Sequence, residues 1–476
     1  MGGRVSYDGG MTARERILFV TGRLAEPLVR RVAAEVASKV GFDFDVEVVG
    51  ISVAALLHAE WLSRKLTIDG PFSRVVLPGW CQGDLGPLAA RFGIPFERGP
   101  KDVLDLPGHF GIGQTRTADL SRFDIEIIAE INHAPRMSDA EIVALSSHYR
   151  ASGADVIDVG CIPGESWADI GRVVRLLRSE GFRVSVDSFD RVEVTAAVEA
   201  GAELVLSVNQ SNLDWAVDLP VEWIAIPDDP ASPEQLIPIT ERLSQAGRRF
   251  RVDPIIEPIG FGFAASLARY FEVRRERADW AMMMGVGNIT EMSEVDSAGL
   301  NFLLAAVCQE LSIGSVLTTE VANWARSSVK EFDLARRLVK QALDERRLVK
   351  KIDSPLLVVR DDKLRPQGEE FLEAMSRQLK DPNFRIFVER GRIHVMNRDG
   401  YWQGDDPFEL FDSFSKSTVL DASHAFYLGY ELCKAVTALR LDKRYLQDEA
   451  LRWGFLSWSE PSAHERRREE RAASGG

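Results

Sequence analysis

Eight short apolar runs recur between residues 125 and 319, and this rhythm restricts the fold more than any other feature of the chain. They are IEIIAEI (125–131), ADVIDVG (154–160), FRVSVD (182–187), AELVLSV (202–208), VEWIAI (221–226), FRVDPII (250–256), WAMMMGV (280–286) and GSVLTT (314–319), with helical patterns between most of them. Most of the runs are continuously apolar rather than alternating, so both faces of each strand are buried. A parallel sheet wrapped in helices requires this. Eight strand-and-helix units between residues 123 and 351 predict an α/β fold, a (β/α)8 barrel. An open doubly wound sheet is the alternative.

The flanks read differently. Residues 1–122 open with RILFVTG (16–22), a strand ending in a glycine loop, followed by the helical LAEPLVRRVAAEVASKV. FDVEVVG and SRVVLPG supply two more strands, which predicts a small Rossmann-like α/β domain. The Gly22 loop is either a phosphate cradle at a helix start or a plain turn. GWCQGDLGPLAARFGIPFERGPKDVLDLP is rich in Gly and Pro and is expected to pack against the barrel region. Residues 352–458 read as a small α+β domain, with paired strands around Arg390-Gly391 and a closing helix in HAFYLGYELCKAVTALRL. ARSSVKEFDLARRLVKQALDERR reads as a helical link between the second and third regions. The charged, apolar-poor tail 459–476 is expected to be disordered.

Composition excludes several classes. The chain has 476 residues, 45% of them hydrophobic, and a formal net charge of −14, which argues against nucleic acid as a partner. Cys81, Cys161, Cys308 and Cys433 form no C-x-x-C, so neither a disulfide framework nor structural zinc is expected, and a cytoplasmic setting fits. No apolar run is long enough to span a membrane, and MGGRVSYDGG lacks the apolar core of a secretory signal. Small molecules are therefore the expected partners, and a homodimer the expected assembly.

In a barrel, the C-terminal strand ends build the site. In order they carry Asn132 and His133, Asp158, Asp187, Ser207 and Asn209, Asp228 and Asp229, Asp253, Asn288, then Thr318, Thr319 and Glu320. His133 has no H-x-H partner and reads as a loop residue rather than a metal ligand. No strand lysine is present for a Schiff base. Asp228-Asp229-Pro230 reads as a turn, and Asp158 reads equally as a turn residue and as a site residue. Asp253 falls inside an apolar run, where an unpaired carboxylate is costly to bury. Asp and Asn suit a flat heterocycle with a mixed donor and acceptor edge, because a carboxylate accepts from an amino group and an adjacent ring N–H together. A pterin presents such an edge.

With these residues in place, the region from about Ile125 to Arg326 resembles the dihydropteroate synthases. AEINHAP matches their strand-1 Asn, IDVGCIPGES approximates IDVGGES, SVDSF matches SVDT, and DPIIEPIGFGF matches DPGFGFG. With its flanking domains, the chain looks like the related proteins of organisms that make tetrahydromethanopterin. The resemblance implies that Asp253 holds the pterin amino and N3–H edge. It places Asp187 across the ring, with Ser207, Asn209 and Asn288 also at the pterin. Asn132 would hold Mg²⁺ and the leaving pyrophosphate. The implied reaction joins a dihydropterin-6-methyl pyrophosphate to an arylamine, with a ribofuranosylaminobenzene phosphate as the arylamine in the tetrahydromethanopterin pathway. Arg136, Arg326 and Lys330 are then candidates for its phosphate.

The sequence departs from the synthases at three points. GVGNIT lacks the strand-7 Lys, LTTEV lacks the strand-8 Arg and His, and the strand-4 Asn falls nearest Leu206, so that Asn209 replaces it only in a longer strand. GVGNIT is similar instead to strand 7 of the pterin methyltransferases that serve corrinoid proteins, which makes methyl transfer the rival activity. LDASHAFYLG does not fit the D-x-H-x-x-G signature of corrinoid modules. A non-catalytic pterin-binding protein is the third reading.

Overall fold

The computed structural model describes residues 14–54, 57–112, 120–346, 348–349, 354–362, 364–416 and 420–460. The first ten residues, where no secretory signal is expected, and the tail from 461 onward, where disorder is expected, lie outside the described residues. The chain divides into two compact units. One is Thr117–Leu356, and the other joins Met1–Arg116 to Leu357–Gly476. The flanking regions, expected as separate small domains, thus share one unit.

In the joined unit, β1 (Arg16–Thr21), β2 (Asp43–Val48), β3 (Arg74–Leu77) and β4 (Phe96–Arg98) form a parallel sheet in the order β2-β1-β3-β4. The first crossover helix, Glu26–Val40, carries Pro27 in its first turn and stops at Gly41, whose φ of 91° is left-handed. Pro fixes the first turn and Gly accepts the C-terminal reversal. The first three strands lie where the apolar runs predict. β4 does not; it hides in the Gly/Pro-rich stretch because three residues between Pro95 and Gly99 give no periodicity to read.

All eight predicted barrel strands form. They are β5 (Glu126–Ile131), β6 (Val156–Gly160), β7 (Val184–Asp187), β8 (Leu204–Val208), β9 (Glu222–Ala225), β10 (Phe250–Val252), β11 (Met283–Gly285) and β12 (Ser315–Thr318). They pair in parallel in the order β10-β9-β8-β7-β6-β5-β12-β11. The ring closes between its end strands through one bridge, Val252 to Met282, with the Val252 N–H donating to the Ala281 carbonyl at 2.8 Å. The helix Ser328–Glu345, read as a link, is instead the last helix of the barrel shell. It buries Val329, Phe332 and Ala335 in the same core as β5, β6 and β7. Its amphipathic spacing was legible; the surface it packs against was not.

The alternation of side chains along the strands sorts the barrel interior into three levels. Near the N-terminal strand ends, Arg251 bridges Glu126 at 2.6 Å and Glu222 at 3.0 Å, and Arg183 joins Glu126 to Glu203. Above this ionic floor sits a small apolar cluster of Ile128, Val156, Leu204, Leu206, Ile224 and Met283. Above that again, Glu130, Asp158 and Ser185 stand in register on β5, β6 and β7. The intervening residues, such as Ile127, Ala129, Ile157 and Val184, face the helices.

The C-terminal part of the joined unit adds an antiparallel sheet of β13 (Arg385–Glu389), β14 (Arg392–Asn397) and β15 (Gly400–Gly404), and the helix Ala422–Leu441. The hairpin turns at Arg390-Gly391 as predicted, both with positive φ. Among the described residues, no helix is long and apolar enough to cross a membrane.

Candidate active site

The C-terminal mouth of the barrel gathers carboxylates. Asp187 is the last residue of β7 and lies in register with Gly160 of β6 and Leu206 of β8. A Cβ at Gly160 would meet Glu130 Oε1 at 2.7 Å, so the glycine makes room for the Glu130 side chain to cross β6. As a result Glu130, Asp158 and Asp187 each bring a carboxylate oxygen within 4.8 Å of the others. Asp158 is 0% exposed. Its Oδ1 accepts from Ser185 Oγ at 2.6 Å, and its Oδ2 is buried with no partner. Asp187 remains partly exposed to the mouth.

On the opposite wall, Asp253 follows β10. Its Oδ1 accepts from the Ile255 N–H at 2.8 Å and from the Tyr270 hydroxyl. Asn288 lies in the turn of helix Gly287–Thr290, and its Nδ2 donates to the Ile256 carbonyl at 3.0 Å. A Cβ built at Gly285 would be 3.7 Å from both Asn288 Nδ2 and Asp253 Oδ2. The two side chains therefore flank one point of bare backbone, against which a flat ligand can lie.

Among the described residues, no cation offsets these acids. Burial, then the charge of Glu291, raises the Glu130 carboxyl. Burial, then the charges of Asp187 and Glu130, lifts Asp158 well above the carboxylate range, against the hydrogen bond from Ser185. Burial and Glu130 push Asp187 up to about 7. Burial pushes Asp253 up to about 6, although Tyr270 and the N–H groups of Ile255 and Gly285 favour its ionised form. Low dielectric and like charges act in the same direction here, and the site suits a ligand that brings donors or positive charge.

The other strand-end residues serve mainly local structure. Asn132 is half-buried on the turn after β5, and His133 is exposed at φ 55°, a loop residue. Asn209 lies one residue past β8, where its Oδ1 accepts from the backbone N–H and hydroxyl of Ser211. The Ser207 carbonyl accepts from Asn212 Nδ2 at 2.9 Å. Asp229 caps its own turn through the Ala231 N–H at 3.0 Å, as its sequence context predicts. Arg136 is exposed and faces Glu165 at 3.5 Å. Arg326 is exposed, and Lys330 lies 3.7 Å from Asp333 on its own helix. Glu320 accepts from the Val329 N–H and pairs with His148. Thr318 faces outward with an unpartnered buried hydroxyl, whereas Thr319 Oγ1 donates to the Glu130 carbonyl at 3.3 Å. Sequence reasoning missed Glu130. The signal was the Glu126, Ile128, Glu130 spacing, which puts both glutamates on the inward face of a run that otherwise reads as wholly apolar.

Comparison with known proteins gives three kinds of match. A profile described as a family of unknown function (DUF6513) matches residues 15–101. An uncharacterized protein of Methanocaldococcus jannaschii is 26% identical, over 91% of this chain and 98% of its own. Similar solved structures are dihydropteroate synthases. That of Yersinia pestis with a pterine-sulfa conjugate is 19% identical at a TM-score of 0.38, covering 48% of this chain and 96% of its own. That of Thermus thermophilus in complex with 6HMPPP is 18% identical at a TM-score of 0.38, covering 47% of this chain and 99% of its own.

Proposed function

We propose that the barrel binds a pterin and condenses its 6-methyl pyrophosphate with an arylamine, releasing pyrophosphate. One observation carries this reading: Asp253 and Asn288 flank bare backbone at Gly285, at the same acid-lined end of the barrel as Asp187. Asp253 Oδ1 is occupied by Ile255 and Tyr270, and the Gly285 N–H also holds the carboxylate; Oδ2, on the Gly285 side, has a second lone pair for the amino and ring N–H edge. Asn288 Nδ2 spends one donor on Ile256 and stands beside the Gly285 backbone, with its second N–H available to an acceptor on the ring. A donor-rich ring that develops positive charge favours the ionised form of acids that burial otherwise holds protonated.

In the reaction the C–O bond between the 6-methylene carbon and the pyrophosphate breaks. The arylamine nitrogen bonds to that carbon and then loses a proton to solvent. Asp187, poised near neutrality, stabilises the methylene cation through the ring. The residues also fit a hard divalent cation, since Glu130, Asp158 and Asp187 present converging carboxylate oxygens and Asp158 Oδ2 has no protein partner. When bound, Mg²⁺ would supply neutralisation of the leaving pyrophosphate. Asn132, on the turn above Glu130, is the amide nearest in sequence to this set. With no strand-8 basic pair in the sequence, a phosphorylated ribosyl arylamine is the preferred second substrate over p-aminobenzoate. Arg136 and Arg326 on the exposed loops, and Lys330, remain the cations proposed for its phosphate.

A second reading, methyl transfer from a methyl-pterin to a corrinoid protein, draws support from the rim. Phe189, Ile259, Phe261, Met292 and Val321, on loops that follow β7, β10, β11 and β12, are exposed apolar groups at the mouth, where a protein partner would dock. Mixing the pterin pyrophosphate with each arylamine and measuring pyrophosphate separates the two. Magnesium-dependent release supports the synthase. No release with any arylamine, together with methyl transfer to a corrinoid protein, establishes the rival. Tight pterin binding with neither activity leaves a non-catalytic pterin-binding protein.

A further inference from the structure

We propose a second small-molecule site, in the joined unit, for an uncharged aromatic compound carrying one hydrogen-bonding group. The sheet order β2-β1-β3-β4 reverses direction between β1 and β3. Ligands of open parallel sheets bind outside the C-terminal strand ends at such a point. A cavity of 310 Å³ opens there, bounded by Thr21 at the end of β1, Leu77 at the end of β3 and Gly99 after β4. Its size falls within the ~300–1,000 Å³ of small-molecule pockets.

The opening is framed by backbone rather than by flexible side chains. A Cβ at Gly22 would lie 2.8 Å from the Ala54 nitrogen, and one at Gly79 would lie 2.5 Å from the Lys101 nitrogen. Both strand-end loops are thus pressed against neighbouring main chain, and only glycine allows it. The far wall comes from the C-terminal part of the same unit, through Phe371, Met375 and Phe387.

The chemistry of the lining selects the ligand. The cavity is walled by aliphatic and aromatic groups, with Phe19, Trp80, Phe371 and Phe387 supplying rings. Each charged group at its edge is already matched. Lys101 pairs with Glu449 at 2.7 Å and lies over the Trp80 ring. Asp102 accepts from the Leu104 N–H at 2.9 Å and from Arg444 at 2.7 Å, and Arg385 is held by Asp381. A charged ligand would find no counter-ion without breaking one of these pairs. Thr21 is the polar lining residue that is fully buried. It is 1% exposed and lines the cavity at the end of β1. A hydroxyl at that depth offers a ligand hydroxyl or carbonyl both a donor and an acceptor.

The test is a titration of the full chain with N-phenyl-1-naphthylamine, a neutral aromatic whose fluorescence rises in apolar surroundings, with 1-naphthol and naphthalene as competitors. One saturable site per chain is expected. Met375→Trp and Ala25→Phe, which fill the cavity, should weaken it at least tenfold with circular dichroism and Tm unchanged. Thr21→Val should weaken 1-naphthol about fivefold and leave naphthalene unaffected. In the unaltered protein, 1-naphthol should shift the methyl NMR signals of Met375 and Leu24, a readout that needs no variant to fold. Non-saturating fluorescence, filled variants that bind like the parent, or unshifted Met375 and Leu24 methyls would each overturn the site. Thr21, Ala25, Leu24 and Met375 all lie in the joined unit, so the variants and methyl signals read this site whatever the outcome of the pterin reading.

Discussion

Asp187 and Glu126 both point into the barrel, and their carboxyls titrate in opposite directions. Burial raises Glu126 too, but the Arg251 and Arg183 guanidiniums outweigh it and its pKa is lowered. Asp187 has only burial and Glu130, and rises to about 7. An acid raised in the folded state is still protonated after the unfolded chain has lost its proton, so stability falls as pH rises from the ordinary Asp value toward 7. Asp187→Asn should therefore flatten the loss of Tm between about pH 4 and 7. A variant whose Tm falls as steeply as the parent's would place the cause elsewhere. Asp253→Ala should weaken pterin binding by about 1.5–3 kcal/mol, the scale of a charged hydrogen bond. Asp158→Ala strands Ser185 and should lower stability by about 1–3 kcal/mol, while sparing affinity for a pterin without pyrophosphate. Calorimetry on both variants checks this; equal losses of pterin affinity would refute the division. At this scale the sequence was informative where a carboxylate interrupts or ends an apolar run, as at Asp187 and Asp253. It was not at Glu130, whose role depends on Gly160 lacking a side chain one strand away. Asn209 was legible as a polar residue at a strand end, but its side chain is taken up by Ser211.

At the scale of elements, the eight barrel strands were readable because a strand buried on both faces leaves a continuous apolar run. The helix Ser328–Glu345 was readable as a helix but not as part of the barrel shell, since amphipathic spacing records that a face is buried and not what buries it. β4 was unreadable at three residues. The ionic floor was also hidden, because Arg183, Glu222 and Arg251 are scattered in sequence and meet only when adjacent strands come into register. Arg251 and Glu222 are 15% and 12% exposed, and Glu126 is 19%. Arg251→Met removes the cation shared by Glu126 and Glu222, which keep only the more exposed Arg183 and Arg249. The loss should be about 3 kcal/mol, the lower end for a buried pair because these groups keep some solvent. Denaturant unfolding measures it. Restoring neutrality with Glu126→Gln and Glu222→Gln in the same chain should recover part of the loss, whereas no recovery would mean that Arg251 acts by packing alone.

For the whole molecule, the order of the chain differs from the order of its units. In sequence, the barrel unit lies between the two halves of the other one, and the cores follow the units. One continuous core spans residues from Ile125 to Val339. In the joined unit, Phe371 packs with Phe19 and Leu28 from the opposite end of the chain, and Leu24 packs with Leu372. Arg444 reaches back to Asp102 at 2.7 Å and Asp105 at 2.6 Å. An insertion of this kind is tolerated when the inserted segment has its own core. A fragment of residues 117–356 should then unfold in a single cooperative transition and bind a pterin with the affinity of the full chain, because Asp187, Asp253 and Asn288 all lie within it. Residues 1–116 alone should not unfold cooperatively, since the surface that holds Leu24 and Phe19 would lose the partners that Leu372 and Phe371 supply. Adding residues 357–476 in trans should restore cooperativity to that fragment. The decisive comparison is pterin affinity, read by fluorescence titration of the fragment and of the full chain. A barrel fragment that folds cooperatively but binds pterin tenfold more weakly would mean that the other unit completes the site, and the acid-lined mouth would then be only part of it.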